Sequence, residues 1–290
     1  MRAAREAFAE WRLVPAPERG SILLRFAQLL ERDKQELTEL MSREMGKVLA
    51  EAGGDVQEAI DMSIYMAGEG RRLFGQTTPS ELRDKFQMSV RMPIGVVGAI
   101  TPWNFPVAIP AWKLAPALVC GNTIVFKPAE DTPLLAERFV ELLAEAGLPV
   151  GVVNLVHGTG EEAGDALVRH PDVRVITFTG SRETGVLVTK NASDTLKHVH
   201  LELGGRNGIV VMDDADLDLA VDGIQDPLLH RHRRRRGRRS AHRRRARDRR
   251  RARTRPLLPA DDLRGRRAGD AGGAGGDLRP HHVADPRRRL

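Results

Sequence analysis

Short apolar runs alternate with helix-length segments from residue 94 onward, and this rhythm constrains the fold more than any other feature of the chain. The predicted strands are 96–100, 123–126, 152–156, 173–178, 199–203 and 208–212. The predicted helices are 109–118, 133–146, 161–168, 182–190 and, after an acidic cap at 213–216, 217–224. Strands that alternate with helices of this length form βαβ crossovers and a mainly parallel sheet. The sequence therefore predicts a doubly wound, mainly parallel, Rossmann-like α/β fold, a class that usually hosts a nucleotide.

The first 93 residues have a different pattern. Apolar residues recur at helical spacing within 21–45 and 56–73, and the Gly pair at 53–54 marks a break or a helix start. Residues 86–91 alternate and predict a strand that ends at Pro93. We therefore divide the chain into N-terminal helices (1–93), a nucleotide-binding α/β domain (94–224) and a tail (225–290).

The tail differs from the rest of the chain in composition. Residues 226–290 contain 23 Arg, seven Asp and neither Lys nor Glu, a formal charge of +16, which leaves −9 for residues 1–225 within the net +7. Because the tail also lacks Phe, Trp, Tyr, Ile and Met, too little apolar surface remains to offset the entropy of ordering, and disorder is predicted. Its abundant residue types have GC-rich codons, so our hypothesis is a frameshift near residue 225 that cuts a larger enzyme short.

The cysteine count and the hydropathy pattern exclude several classes of protein. The single cysteine, Cys120, excludes an internal disulfide and a cysteine-based zinc site, and no metal site is predicted. No run approaches 18 apolar residues, and the N-terminus is a mixed charged helix without the apolar core of a signal peptide. We expect a cytoplasmic protein without a membrane span.

Residues 100–106 (Ile-Thr-Pro-Trp-Asn-Phe-Pro) follow the first strand of the α/β domain. Pro102 and Pro106 stop that strand and exclude a helix through the segment between them, which we call the 102–106 bracket. A side-chain amide there, that of Asn104, would lie where open α/β sheets bind ligands and do chemistry. The alternative is a rigid turn in which Asn104 bonds to backbone groups.

Charged side chains mark the ends of two other predicted strands. Lys127 and Glu130 could hold the two ribose hydroxyls of an adenosine, although a solvated surface pair would have the same spacing. Glu202 lies inside an apolar strand, and a buried carboxyl group has a raised pKa that suits a general base. The alternative for Glu202 is an ion pair with Lys197 or Arg206.

Small residues occur at two further strand ends. Residues 157–164 contain a Gly-x-Gly-x-x-x-Gly spacing, which would let the backbone approach a pyrophosphate or a neighbouring helix. At 177–181 (Thr-Phe-Thr-Gly-Ser), Ser181 or Thr179 would cap the next helix, whose N-terminus could also take a phosphate.

Together these motifs resemble those of the aldehyde dehydrogenase superfamily. Ile-Thr-Pro-Trp-Asn-Phe-Pro, Phe-Lys-Pro-Ala-Glu, Phe-Thr-Gly-Ser and Glu-Leu-Gly-Gly match in sequence and spacing, and the resemblance covers about residues 1–224. It implies an NAD(P)-binding domain, a catalytic domain with a nucleophilic cysteine, and a β oligomerisation arm that starts within 1–93. It also implies NAD-dependent oxidation of a small aldehyde or semialdehyde through a cysteine thiohemiacetal and thioester, with NADP possible as cofactor, in a homo-oligomer.

The resemblance also assigns roles to individual residues. Asn104 would donate its amide to an oxyanion, an interaction typically worth ~3 kcal/mol in the barrier. Lys113 would help to relay protons, and Glu202 would be the general base. Glu130 favours NAD over NADP, because a carboxylate repels a 2′-phosphate. The residues implied to contact the cofactor are Ile100, Pro102, Trp103, Lys127, Glu130, Gly160, Gly164, Phe178, Gly180, Ser181, Leu203 and Gly204.

One departure from the family pattern concerns the nucleophile. The family cysteine lies in a Gly-Gln-x-Cys motif some tens of residues after Glu-Leu-Gly-Gly, where this chain has its Arg-rich tail, so the catalytic domain is predicted to be missing. Cys120, at a predicted helix end, is interpreted as a structural thiol.

Three interpretations of the function stay open: an aldehyde dehydrogenase by descent that is inactive in this chain, a noncatalytic cofactor-binding protein, and nonspecific nucleic-acid binding through the tail.

Overall fold

Four helices open the chain in the computed structural model, which describes residues 1–205 and 208–221. They are α1 (Arg2–Trp11), α2 (Ala16–Arg32), α3 (Lys34–Met45) and α4 (Leu49–Glu69). The break or helix start predicted at the Gly pair 53–54 is wrong, because α4 begins at Leu49 and runs through both glycines without interruption. The next residues on that helix, Asp55 and Val56, are buried, and packing of this face outweighs a helix cost of about 1 kcal/mol for each glycine.

A short hairpin follows the helices. Strands β1 (Thr77–Thr78) and β2 (Gln87–Met88) pair antiparallel, and all four residues are exposed. The strand predicted at 86–91 is therefore only two residues long. An isolated two-stranded hairpin has no core to pack against, which limits the length of its ladder.

Five parallel strands form the central sheet: β3 (Val96–Ile100), β4 (Thr123–Lys127), β5 (Val153–Leu155), β6 (Val173–Gly180) and β7 (His198–Leu203). Their order across the sheet is β5-β4-β3-β6-β7. The connections contain α5 (Ala108–Val119), α6 (Pro133–Glu145), a π-helical turn (Gly160–Gly164) that continues as α7 (Asp165–Arg169), and α8 (Arg182–Ser193). The doubly wound fold is confirmed, and the strand order reverses between β3 and β6, which creates a topological switch point there.

The sixth predicted strand does not form. Residues 208–212 have no regular structure, and Val210 is 84% exposed. An apolar run becomes a strand only where it can pair and pack, and no described residue pairs with this one.

In the segment that begins at Asp216, the predicted acidic cap is confirmed: the amides of Asp218 and Leu219 donate to Asp216 Oδ1 over 2.9 and 3.2 Å. The rest of that helix and the tail, including its predicted disorder and the proposed frameshift, lie outside the described residues.

The main core joins the N-terminal helices to one face of the sheet. Phe26 of α2 meets Phe139 of α6 edge to face, with ring centroids 4.9 Å apart, and Phe126 of β4 lies 6.4 Å from Phe139. A second, smaller cluster around Ile176 and Phe178 covers the opposite face. No helix within 1–205 or 208–221 is long and apolar enough to cross a membrane.

Candidate functional site

The carboxyl ends of three neighbouring strands place several of the predicted site residues side by side. Ile100, the last residue of β3, pairs with Lys127 of β4 on one side and with Phe178 of β6 on the other. The amide of Thr101 donates to the Lys127 carbonyl over 3.2 Å, which continues the ladder by one residue. The 102–106 bracket therefore leaves the sheet at the switch point, as predicted for a ligand site in this fold.

Lys127 and Glu130 form an ion pair beside this point. Lys127 Nζ lies 2.9 Å from Glu130 Oε2; the lysine side chain is 4% exposed and the carboxylate 55%. The hydrogen bond from Lys127 holds the pKa of Glu130 below its usual value. The alternative of a solvated surface ion pair is therefore wrong for Lys127, whose side chain is buried. Its ammonium group has three donors, so this contact leaves capacity for a ligand.

The glycine segment at the end of β5 forms a single helical turn. Residues 160–164 form the π-helical turn, with Thr159 Oγ1 accepting from the Glu162 amide over 3.2 Å. A Cβ added at Gly160 would meet nothing within 4 Å, and one at Gly164 would only touch the Thr159 carbonyl at 3.9 Å. Neither glycine is therefore required by a neighbouring helix among the described residues. Gly160 is exposed and a ligand could approach its backbone, whereas Gly164 is buried.

The end of β6 is built tightly. A Cβ at Gly180 would lie 2.4 Å from the ring of buried Phe178, so only glycine fits there without a shift of that ring. Ser181 caps α8, because its Oγ accepts from the Thr184 amide over 3.1 Å. Of the two candidate caps, Ser181 is therefore the one used, and Thr179 remains in the strand.

Lys113 on α5 reaches across to the sheet. Its side-chain Nζ donates to Thr177 Oγ1 over 3.1 Å, and the residue is 8% exposed. Burial lowers the pKa of Lys113 to about 8, and the charge of Glu202 opposes that shift. Thr177 and Thr179 share one face of β6, and Thr179 pairs with Glu202 of β7. The fold thus brings the predicted proton relay and the predicted base to one face of the sheet.

The expected burial of Glu202 is wrong. Its side chain is 66% exposed, and Nε2 of the His200 ring lies 3.7 Å from Glu202 Oε1. Of the two cations considered as alternative partners, Lys197 donates its Nζ to Thr195 instead, and Arg206 lies outside the described residues. The reason is that β7 is an edge strand: among the described residues it pairs with β6 alone, and none of its six residues is buried. Leu203, 39% exposed, and Gly204 share this open environment.

The 102–106 bracket holds its functional groups toward solvent. Trp103 is 51% exposed, and the side-chain amide of Asn104 makes no hydrogen bond to any residue that the structure describes. The turn in which this amide bonds to backbone is therefore not formed. Instead, the Asn104 carbonyl accepts from Lys47 Nζ over 2.9 Å, and Asp55 Oδ1 accepts from the Ala108 amide over 2.7 Å.

Lys47 and Asp55 are not predicted by the sequence pattern. Both are more than 50 residues away from the groups they hold, so no local motif contains them. A weaker signal was present: Asp55 occupies the buried face of α4 together with Ala52, Val56 and Ala59, at helical spacing. A charged residue on an apolar helix face indicates a specific buried partner.

Cys120 lies away from this site. It follows α5 and precedes β4, which begins at Thr123, so it lies at the amino end of the strands. The five residues of β4 separate the two edges of the sheet by roughly 15 Å. Burial raises the pKa of its thiol, which disfavours the nucleophilic thiolate.

Known proteins with similar sequences are aldehyde dehydrogenases. The model of the aldehyde dehydrogenase family matches residues 1–230. The chain is 45% identical over 222 residues to alpha-ketoglutaric semialdehyde dehydrogenase of Bacillus subtilis, covering 77% of this chain and 46% of that protein. It is 47% identical over 218 residues to the mitochondrial succinate-semialdehyde dehydrogenase of Arabidopsis thaliana, covering 75% and 41%. The chain spans about half the length of the curated relatives that it matches.

Solved structures show the same relationship. An Escherichia coli NADP-dependent enzyme superposes with a TM-score of 0.77 at 42% identity, over 79% of this chain and 48% of the other. Betaine aldehyde dehydrogenase of Staphylococcus aureus, solved in complex with NAD+, superposes with a TM-score of 0.75 at 38% identity, over 77% and 45%.

Proposed function

The chain belongs to the aldehyde dehydrogenase family, and from this premise we propose that residues 1–224 form the cofactor-binding half of an NAD-dependent aldehyde dehydrogenase. The observation that carries the proposal is the buried Lys127, which pairs with Glu130 next to Ile100 at the switch point of the sheet. A cation and a carboxylate held there present donors and acceptors where a nucleotide lies in this fold.

The residues at this edge fit a dinucleotide. Lys127 and Glu130 would hold the adenosine ribose through its two hydroxyls. The exposed backbone at Gly160 and the capped start of α8 at Ser181 would face the pyrophosphate, where helix N-termini favour negative charge. The nicotinamide side would be lined by Ile100, Pro102, Trp103, Leu203 and Gly204. When bound, NAD would supply the hydride acceptor for oxidation of an aldehyde.

Two cofactor forms occur among the structural relatives, one solved with NAD+ and one described as NADP-dependent. We propose NAD for this chain, because the Glu130 carboxylate would repel a 2′-phosphate.

Side chains of this chain would donate a hydrogen bond to the substrate oxygen and transfer protons. The unbonded amide of Asn104 would donate to a developing oxyanion. Lys113, whose pKa is about 8, would take up or release a proton near neutral pH, and Glu202 shares its face of the sheet. The relatives act by name on several semialdehydes and aldehydes, so the proposed substrate class is an aldehyde or semialdehyde.

We also propose that this chain, as its sequence stands, binds the cofactor without oxidising an aldehyde. Its one cysteine is Cys120, at the opposite edge of the sheet from Asn104. Purified protein with NAD and succinate semialdehyde is expected to form no NADH above the cofactor-only control. Steady NADH production would contradict this.

Resequencing the gene around codon 225 tests the proposed frameshift, and an in-frame continuation with Gly-Gln-x-Cys is the result expected.

Cofactor binding is tested most directly at Lys127. NAD is expected to raise the thermal midpoint of the wild-type chain, and Lys127→Met is expected to weaken NAD binding by 10- to 100-fold. This follows from the loss of a charge-assisted hydrogen bond worth about 1.5–3 kcal/mol. Isothermal titration calorimetry gives both dissociation constants, with NADP as the weaker comparison ligand.

The matched control is Lys190→Met, at the opposite end of α8 from Ser181. It removes a lysine of the same size and charge and is expected to leave the dissociation constant for NAD within twofold. Absence of any midpoint shift or binding heat in the wild-type chain would rule out a formed cofactor site.

A further inference from the structure

The 102–106 bracket and the start of α5 are held by an ion pair that comes from the N-terminal helices. Asp55, on α4, has a fully buried side chain, and its Oδ2 lies 2.8 Å from Nζ of Lys47, which is itself only 7% exposed. The other carboxylate oxygen, Oδ1, accepts from the backbone amide of Ala108 over 2.7 Å. One carboxylate thus joins α4, the segment before α4 and the first turn of α5.

Helix α5 needs this contact because it has no cap of its own. Its N-cap residue is Val107, which has no side-chain acceptor for the free amides of the first turn, and that turn contains no acidic residue. Asp55 provides both from another helix: an acceptor for the Ala108 amide and a negative charge at the positive end of the helix dipole.

Lys47 fixes the bracket from the same side. Its ammonium group donates to the backbone carbonyl of Asn104 over 2.9 Å and lies 3.7 Å from the centroid of the Phe105 ring. A buried ammonium over an aromatic face is attracted to the ring quadrupole and resists displacement. The backbone of Asn104 is therefore held by a group that leaves its side-chain amide free.

We infer that Lys47 and Asp55 are positioning residues for the bracket, fixing the Asn104 backbone so that its side-chain amide remains preorganised to donate to an oxyanion. This deepens the proposed function and rests on it for the role of that amide. Preorganised donors are effective because they need no rearrangement when charge develops.

A second set of charged side chains serves as the matched comparison. Arg138 of α6 pairs with Asp33 over 2.7 Å, and Arg32 pairs with Glu145 at the end of α6 over 2.5 Å. These pairs also join the N-terminal helices to the α/β layer. Neither ion pair contacts the bracket, so a substitution that breaks one of them removes only contacts between the N-terminal helices and α6.

The test uses the full chain labelled with 5-fluorotryptophan, and its three tryptophans report by fluorine NMR. Trp103 reports on the bracket, Trp112 on α5, and buried Trp11 on the global fold. In the cofactor-free protein, Lys47→Met is expected to shift or broaden the Trp103 resonance and leave that of Trp11 in place. Amide exchange over residues 101–108 is expected to accelerate at least tenfold.

Conservative and control variants separate positioning from general stability. Lys47→Arg, which keeps the cation and the donor, is expected to restore the Trp103 resonance. Asp55→Asn keeps an acceptor for the Ala108 amide and should loosen residues 103–105 more than the start of α5. Arg138→Met is expected to leave both the Trp103 resonance and the exchange of 101–108 unchanged.

Two outcomes would overturn the inference: an unchanged Trp103 resonance in Lys47→Met with Trp11 intact, or equal loosening of the bracket by Arg138→Met. If Lys47→Met fails to fold, Asp55→Asn decides by the same two readouts. Because these readouts need no cofactor, they stand even if NAD does not bind. If NAD binds, the NAD-induced change of the Trp103 resonance should be lost in Lys47→Met while the dissociation constant rises less than threefold.

Discussion

Replacement of Phe139 by Ala is expected to lower the free energy of unfolding of this chain by about 3–5 kcal/mol. Phe139 is 1% exposed and sits on α6 between Phe26 of α2 and Phe126 of β4. Its truncation removes an edge-to-face aromatic pair and leaves a cavity in the core that the N-terminal helices share with the sheet.

Urea denaturation followed by far-ultraviolet circular dichroism and by tryptophan fluorescence measures this loss. Because Trp11 lies in the same core, both signals are expected to shift together to lower urea. Leu134→Ala, on the same helix but 53% exposed, is the control and should cost less than 1 kcal/mol. Separate transitions for the two probes would show that the N-terminal helices and the sheet do not unfold as one unit.

The second large effect is expected at Lys113, through pH. Burial lowers the pKa of this lysine from 10.5 to about 8 in the folded chain. Between pH 8 and 10.5 the unfolded state therefore binds more protons than the folded state, and stability rises with pH across this window. This difference between the folded and unfolded pKa of Lys113 corresponds to about 3 kcal/mol in the free energy of unfolding. Below pH 8 the buried charge destabilises the fold by that amount, and the destabilisation has disappeared by pH 10.5.

Lys113→Met is expected to remove this pH-dependent gain and to leave the chain at least as stable as wild type at pH 7. An apolar side chain of similar length pays no cost for a buried charge, although Thr177 loses its hydrogen-bond donor. The free energy of unfolding is measured by urea denaturation between pH 7 and 10.5. Lys197 and Cys120 also have shifted pKa values, but they titrate in both proteins, so the difference between the curves isolates Lys113.

Lys190→Met, on the exposed end of α8, should leave the wild-type pH profile intact. Parallel stability curves for wild type and Lys113→Met would contradict the assignment of a depressed pKa to this lysine. They would also remove the support that this pKa gives to a role for Lys113 in proton transfer near neutral pH.

Local features of the site could be predicted because they depend on short-range spacing. The pairing of Lys127 with Glu130 needs three residues and a strand end, and the Ser181 cap needs one turn of helix. Glu202 could not be predicted in this way. Its apolar neighbours suggested burial, but burial of a strand depends on what lies beside it, and β7 has a described partner on one side only.

The sequence by itself determined the alternation of strands and helices, and with it the parallel sheet whose carboxyl edge gathers Ile100, Lys127 and Phe178. Hydrophobic periodicity and turn chemistry act within a few residues, so they can be recognised along the chain. Only the tertiary structure decided what holds the bracket: Lys47 and Asp55 meet Asn104 and Ala108 across 57 and 53 residues of chain. Such contacts follow from the way that α4 packs against α5, and no local pattern of residues encodes that packing.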